Sequence, residues 1–159
     1  MKGDDRKRWT YSAYRHGFVR VAACTHHTFL GDPAANAESV LRLARACHDD
    51  NVARALRCTP ELRLSGYSIE DIVMHDALLD AVEDAVLDVV VAPAKLMPVF
   101  VVGAPLRYRH RIYNTAVIVH RGWVLGVVPK SYLPTYRSST NADSSPPATM
   151  CTAPSGWAT

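Results

Sequence analysis

A single carboxylate, Glu61, sits in the run Pro60-Glu61-Leu62-Arg63-Leu64-Ser65-Gly66-Tyr67, and a single lysine, Lys130, closes an apolar run that begins at Trp123. A carboxylate and an ammonium are the side chains from which proton transfer and stabilisation of a developing negative charge are built. Taken one at a time, each is equally well explained as a surface charge: a lysine after a buried strand normally lays its stem on apolar surface and keeps its head in water. The four cysteines, Cys24, Cys47, Cys58 and Cys151, show no CxxC spacing, so neither a zinc site nor a disulfide framework is indicated, and buried thiols in a reducing compartment are expected. His26 and His27 are adjacent on an extended segment and would point to opposite faces, which does not suit one metal. No metal site is expected.

The elements that would carry these residues alternate between strand and helix. Phe18–Cys24 reads as a first strand, apolar on both faces. Asp32-Pro33 starts a helix, with Asp as cap and Pro at the first helical position, and Ala37, Val40, Leu41, Ala44 and Cys47 or His48 recur at helical spacing behind it. Residues 51–60 fall where a second strand belongs, but Arg54 and Arg57 would be charges in the core there unless they are neutralised or the strand is displaced to the rim.

Ser68-Ile69-Glu70-Asp71 has capping-box spacing, and the helix it opens is expected to bury Ile72, Leu79, Val82, Val86 and Val89 or Val90. Its other side carries Glu70, Asp76, Asp80, Glu83, Asp84 and Asp88, read as solvated surface rather than a metal site. Val99–Val102 is a third strand, and Ile112–His120 with Trp123–Val128 forms a hairpin around Arg121-Gly122. Arg107-Tyr108-Arg109-His110-Arg111 is a locally basic turn, but a net charge of +3 gives no strong reason to expect nucleic acid.

Three runs together resemble a known family: Pro60-Glu61-Leu62 with Ser65-Gly66-Tyr67-Ser68, then Arg111-Ile112-Tyr113-Asn114-Thr115-Ala116, then Val128-Pro129-Lys130-Ser131-Tyr132-Leu133-Pro134-Thr135-Tyr136. They look like the amidohydrolase domain of the nitrilase, or carbon-nitrogen hydrolase, superfamily, and within it the N-terminal glutaminase domain of glutamine-dependent NAD synthetases. The resemblance covers residues 11–137, with 1–10 expected to be a disordered leader and 138–159, rich in Ser, Thr, Ala and Pro, a disordered tail foreign to the family.

The resemblance implies an α/β fold, the first half of an α-β-β-α sandwich. It implies Glu61 as the base, Lys130 as the stabiliser of the oxyanion and Tyr136 as a contact for the substrate, glutamine. The family's cysteine nucleophile lies on a later strand. Cys151 follows no strand, and Cys58, three residues before Glu61, would lie on the opposite face or be displaced by the intervening Pro60, so no nucleophile is assigned and the chain is expected to be an inactive, truncated relative. Two other readings stand beside it: a piece of a stand-alone amidase, and a non-catalytic module that pairs with homologous subunits through a sheet edge.

With 159 residues and 48% hydrophobic composition, the chain is sufficient for one core and not for two domains. No apolar run approaches the roughly 18 residues that span a bilayer, and no secretory signal opens the chain, so no membrane partner and a cytoplasmic location are expected. No Gly-rich phosphate loop occurs, so ATP binding is not expected, and no cofactor is assigned.

Overall fold

The computed structural model describes residues 16–25, 27–50, 55–58 and 61–130, with 55–58 and Glu70 known by their backbone alone. The expected leader, Arg54, Tyr136, and the tail with Cys151 lie outside the described residues. Five strands form one sheet in sequence order: β1 (Val21–Cys24), β2 (Ala55–Cys58), β3 (Phe100–Tyr108), β4 (Arg111–His120) and β5 (Trp123–Pro129). Helix α1 (Pro33–Asp49) lies between β1 and β2, and α2 (Asp76–Val91) between β2 and β3. Such crossovers return the chain parallel to its start, and β1–β2 and β2–β3 are parallel pairs. Two-residue connections force the opposite sense, so β3–β4 and β4–β5 are antiparallel. Their turns use left-handed backbone at Arg109 (φ 57°), Arg121 (φ 49°) and Gly122 (φ 84°), the handedness that matches strand twist.

The helix starts at the expected place. Asp32 accepts a hydrogen bond from the Ala35 amide at 3.0 Å, with Pro33 as the first helical residue. Ala37, Val40, Ala44 and Cys47 are buried on one face of α1, and Leu78, Leu79, Val82, Ala85, Val86, Val89 and Val90 on α2. These meet Phe100, Val102, Ala104, Val117 and Val119 from one face of β3 and β4, which makes the core. The alternate residues Val101, Gly103, Ala116 and Ile118 point to the other face and are only partly buried. The described elements are thus a sheet with helices on one side, part of an α/β sandwich.

Three expectations are corrected. The capping box does not form: Glu70–Met74 is a short 3-10 turn whose cap, Ile69, makes no side-chain bond, and α2 begins only after His75, which is extended at ψ 126°. That break swings Ile72 out of phase with Leu79, and it is 53% exposed instead of buried. The third strand runs to Tyr108 rather than Val102, because it gains a nine-residue ladder with β4. Pro105 is tolerated there because β2 pairs with β3 only as far as Val102, so among the described residues no β2 carbonyl stands ready to accept the hydrogen it lacks. The second strand, left open by Arg54 and Arg57, forms in the sheet: Ala55–Cys58 pairs on both sides, with Arg57 in register with Ala23 and Val101.

Candidate functional site

After Cys58 the chain leaves the sheet at the carboxyl end of a parallel strand, the place where α/β sheets usually present their sites. Residues 61–66 form a tight loop. Leu62 takes left-handed backbone (φ 53°), which costs a residue with a side chain on the order of 1 kcal/mol or more. Its carbonyl accepts from the Gly66 amide at 2.8 Å and the Ser65 amide at 3.2 Å, so the loop closes on itself. The Leu64 amide donates to the Gly103 carbonyl at 3.1 Å, which fastens the loop to β3 beyond the end of β2. Gly66 takes φ 90°, a backbone conformation that strains any residue with a side chain, and a Cβ there would also push the Leu30 side chain aside.

Asn36, fully buried on α1, secures the same loop from below. Its Nδ2 donates to the carbonyls of Leu64 at 3.0 Å and Phe29 at 2.6 Å, and its Oδ1 accepts from the Phe29 amide at 2.9 Å. Arg63, 2% exposed, points inward and donates to the Thr28 hydroxyl. The consequence is that Glu61 stands at the head of a loop held on two sides.

Lys130 arrives from 69 residues away. Its backbone amide donates to the Asn114 carbonyl at 2.8 Å, extending the β4–β5 ladder one step past Pro129. Its Nζ donates to Glu61 Oε1 at 2.6 Å, and Asn114 Nδ2 donates to Glu61 Oε2 at 3.2 Å. Asn114 therefore holds both charged residues, one by its backbone and one by its side chain. The side chains of Glu61 and Lys130 are 46% and 30% exposed, and an ion pair this open contributes about 0–1 kcal/mol to stability. Stability does not account for so much local construction around it.

Chemically, the carboxylate keeps unshared lone pairs on Oε2 able to take a proton, and the ammonium sets a positive charge beside them. A shallow cleft next to Glu61 is bounded by Thr28, Leu30, Arg63, Tyr67 and Ser68. Glu61 is more open to solvent than a base in a closed pocket, because the described residues supply only one side of its surroundings.

Of the residues expected from sequence, Glu61 and Lys130 are in direct contact, while Tyr136 lies outside the described residues. Asn114, Asn36 and Arg63 carried no assigned role. Asn36 had a readable signal, a polar residue on the apolar stripe of an amphipathic helix. Asn114 had one only through the resemblance, as a member of the run 111–116, with no role attached to it there. Part of the locally basic turn meets part of the acidic helix face: Arg107 pairs with Asp76 at 3.1 Å, with Glu83 at 3.0 Å and with Asp80. The hydrogen bonds that Arg107 donates, to Glu83 first and to Asp80, raise its guanidinium pKa still further. Among the described residues no cluster of His, Cys, Asp or Glu is arranged to hold a metal, and no helix is long and apolar enough to cross a membrane.

Comparison with known structures defines the class first. A glutamine-dependent NAD(+) synthetase from Cytophaga hutchinsonii superposes with a TM-score of 0.65 at 22% identity, over 74% of this chain and 20% of that one. An amidase of the nitrilase superfamily from Nesterenkonia superposes at 0.62 and 21% identity, over 76% and 45%. The fold is that of the carbon-nitrogen hydrolases. Sequence comparison narrows this. The glutamine-dependent NAD(+) synthetase of Mycobacterium tuberculosis is 76% identical over 127 residues, and that of Mycobacterium leprae 74%, each over 80% of this chain. The chain is a homologue of the glutamine-dependent NAD(+) synthetases, of which it spans about 18% of the length. No family model matches the sequence.

Proposed function

We propose that this chain carries part of a glutamine amidohydrolase site of the kind that supplies ammonia for NAD synthesis, with residues 11–137 as the part of the domain it contributes. Glu61 is the base that takes the proton of an attacking thiol and returns it to the departing ammonia, and Lys130 stabilises the oxyanion formed when that thiol adds to the amide carbon. Tyr136 contacts the glutamine side of the reaction. The observation that supports this reading is the Glu61–Lys130 contact, with Asn114 on the second carboxylate oxygen, in a chain so similar to these synthetases. No cysteine of the chain is assigned as nucleophile, so the chain by itself hydrolyses no glutamine. Homologous subunits in the cytoplasm are the partners that fit.

The test is a graft. Residues 11–137 replace the matching segment of the M. tuberculosis relative, and ammonia release from glutamine is followed. The graft retains turnover. Glu61→Gln lowers kcat by roughly 10²–10⁴-fold, and Lys130→Met lowers it by roughly 10²–10³-fold. A folded graft in which either substitution leaves kcat unchanged sinks the assignment, as does glutamine hydrolysis by the 159-residue chain alone that Cys151→Ala abolishes.

A further inference from the structure

Cys24 ends β1 and Cys47 lies in the last turns of α1, and their sulfurs are in van der Waals contact at 3.8 Å. Both are free thiols, Cys47 buried and Cys24 partly exposed. Nothing in the spacing of the cysteines announces this, because the helix must first fold back onto the strand to bring them together. We propose that Cys24 and Cys47 are an oxidisable pair, converted by a peroxide-class oxidant into an intrachain disulfide that fastens α1 to β1. A disulfide needs sulfurs about 2.05 Å apart, so the pair must close by about 1.8 Å, within reach of side-chain rotation and a small shift of the helix on the strand.

The order of events follows from exposure. Cys24 meets the oxidant first: its thiolate attacks one peroxide oxygen, the O–O bond breaks, and Cys24 becomes a sulfenic acid as water leaves. The sulfur of Cys47 then attacks the Cys24 sulfur, the S–O bond breaks, and a second water leaves with the Cys47 proton. Two thiols and one peroxide give one disulfide and two waters. Burial first, then contact with Cys24 and the charge of Asp50, push the Cys47 thiol up to about 11, which keeps it protonated near neutral pH and unsuited to the first step; it enters the second through its contact with the Cys24 sulfur.

The loop that the bond closes contains Phe29, Gly31 and Asn36. These hold the Glu61 loop, through the Gly31 amide on the Ser65 carbonyl at 2.8 Å and Asn36 on the Leu64 carbonyl. Oxidation therefore tightens the platform beneath the candidate site, whatever reaction that site serves, and the pairing itself does not depend on the amidase reading.

The competing partner is Cys58, which stands opposite Cys24 in the β1–β2 register. Peptide mapping without reduction separates the two. The full chain is treated with hydrogen peroxide, once in native buffer and once in urea, and free thiols are then alkylated. The expected result is a Cys24–Cys47 crosslinked peptide that dominates only in the native sample. It disappears in Cys24→Ser and in Cys47→Ser, and it raises the melting temperature by roughly 5–10 °C in a manner that dithiothreitol reverses. Full alkylation of both thiols after native oxidation overturns the proposal. So does a Cys24–Cys58 product, or the same mixture of pairings in urea.

Discussion

The Glu61 carboxylate has a donor on each oxygen, and the two donors, Lys130 and Asn114, are themselves joined by a backbone hydrogen bond. Such mutual fixing is what a reaction needs from groups that must stay within a fraction of an ångström of a reacting amide. A prediction at this scale concerns the buried thiol. Burial pushes the Cys47 thiol up to about 11 in the fold against 9.0 for an ordinary thiol, so between those values the unfolded chain loses a proton that the folded one keeps. Stability is then unaffected below about pH 9 and falls as pH rises through 11, by on the order of 2 kcal/mol. Urea unfolding under reducing conditions at pH 8 and at pH 10.5 checks this: Cys47→Ala shows a shallower loss than the parent, and equal losses contradict it.

At the scale of elements, α2 is tied to β3 through Arg107, whose guanidinium meets three carboxylates spaced along one helix face. Residues 76, 80 and 83 lie at i, i+4 and i+7, so one strand residue reaches them all. These carboxylates are 86%, 64% and 35% exposed, which places the cluster among surface networks that salt screens. Arg107→Met is expected to lower the melting temperature by a few degrees at most at low salt, with the difference vanishing near 1 M sodium chloride by thermal-melt circular dichroism. A large, salt-independent loss would mean that the arginine stem, not its charge, holds α2 in place.

At the scale of the molecule, the described residues present helices over one face of the sheet and apolar residues on the other side and at the margins, with Trp123 58%, Leu125 57%, Val21 62% and Phe18 68% exposed. Among the described residues β1 and β5 are the edge strands of the sheet, so exposed apolar side chains and sheet edges coincide. The isolated chain is expected to bind the dye ANS and to self-associate at micromolar concentration. Trp123→Lys should reduce both by sedimentation and fluorescence. A monomer that leaves ANS dark, with sharp and dispersed amide signals, would show that the surface is covered in solution.

The sequence by itself determined the features that depend on neighbours along the chain. The Asp32-Pro33 start of α1, its apolar stripe, the apolar strands and the Arg121-Gly122 hairpin follow from local backbone preference and from periodicity, which a single chain displays openly. The short runs around Glu61 and Lys130 were legible as a family pattern, though their contact was not. Only the tertiary structure decided what lies across distance. It brought Lys130 and Asn114 onto Glu61, seated Asn36 under the Glu61 loop, set Cys24 against Cys47 and turned Ile72 to solvent after the break at His75. The physical reason is that such contacts are fixed by strand register and by the packing of α1 and α2 on the sheet, and no spacing within one segment encodes where a second segment will be laid against it.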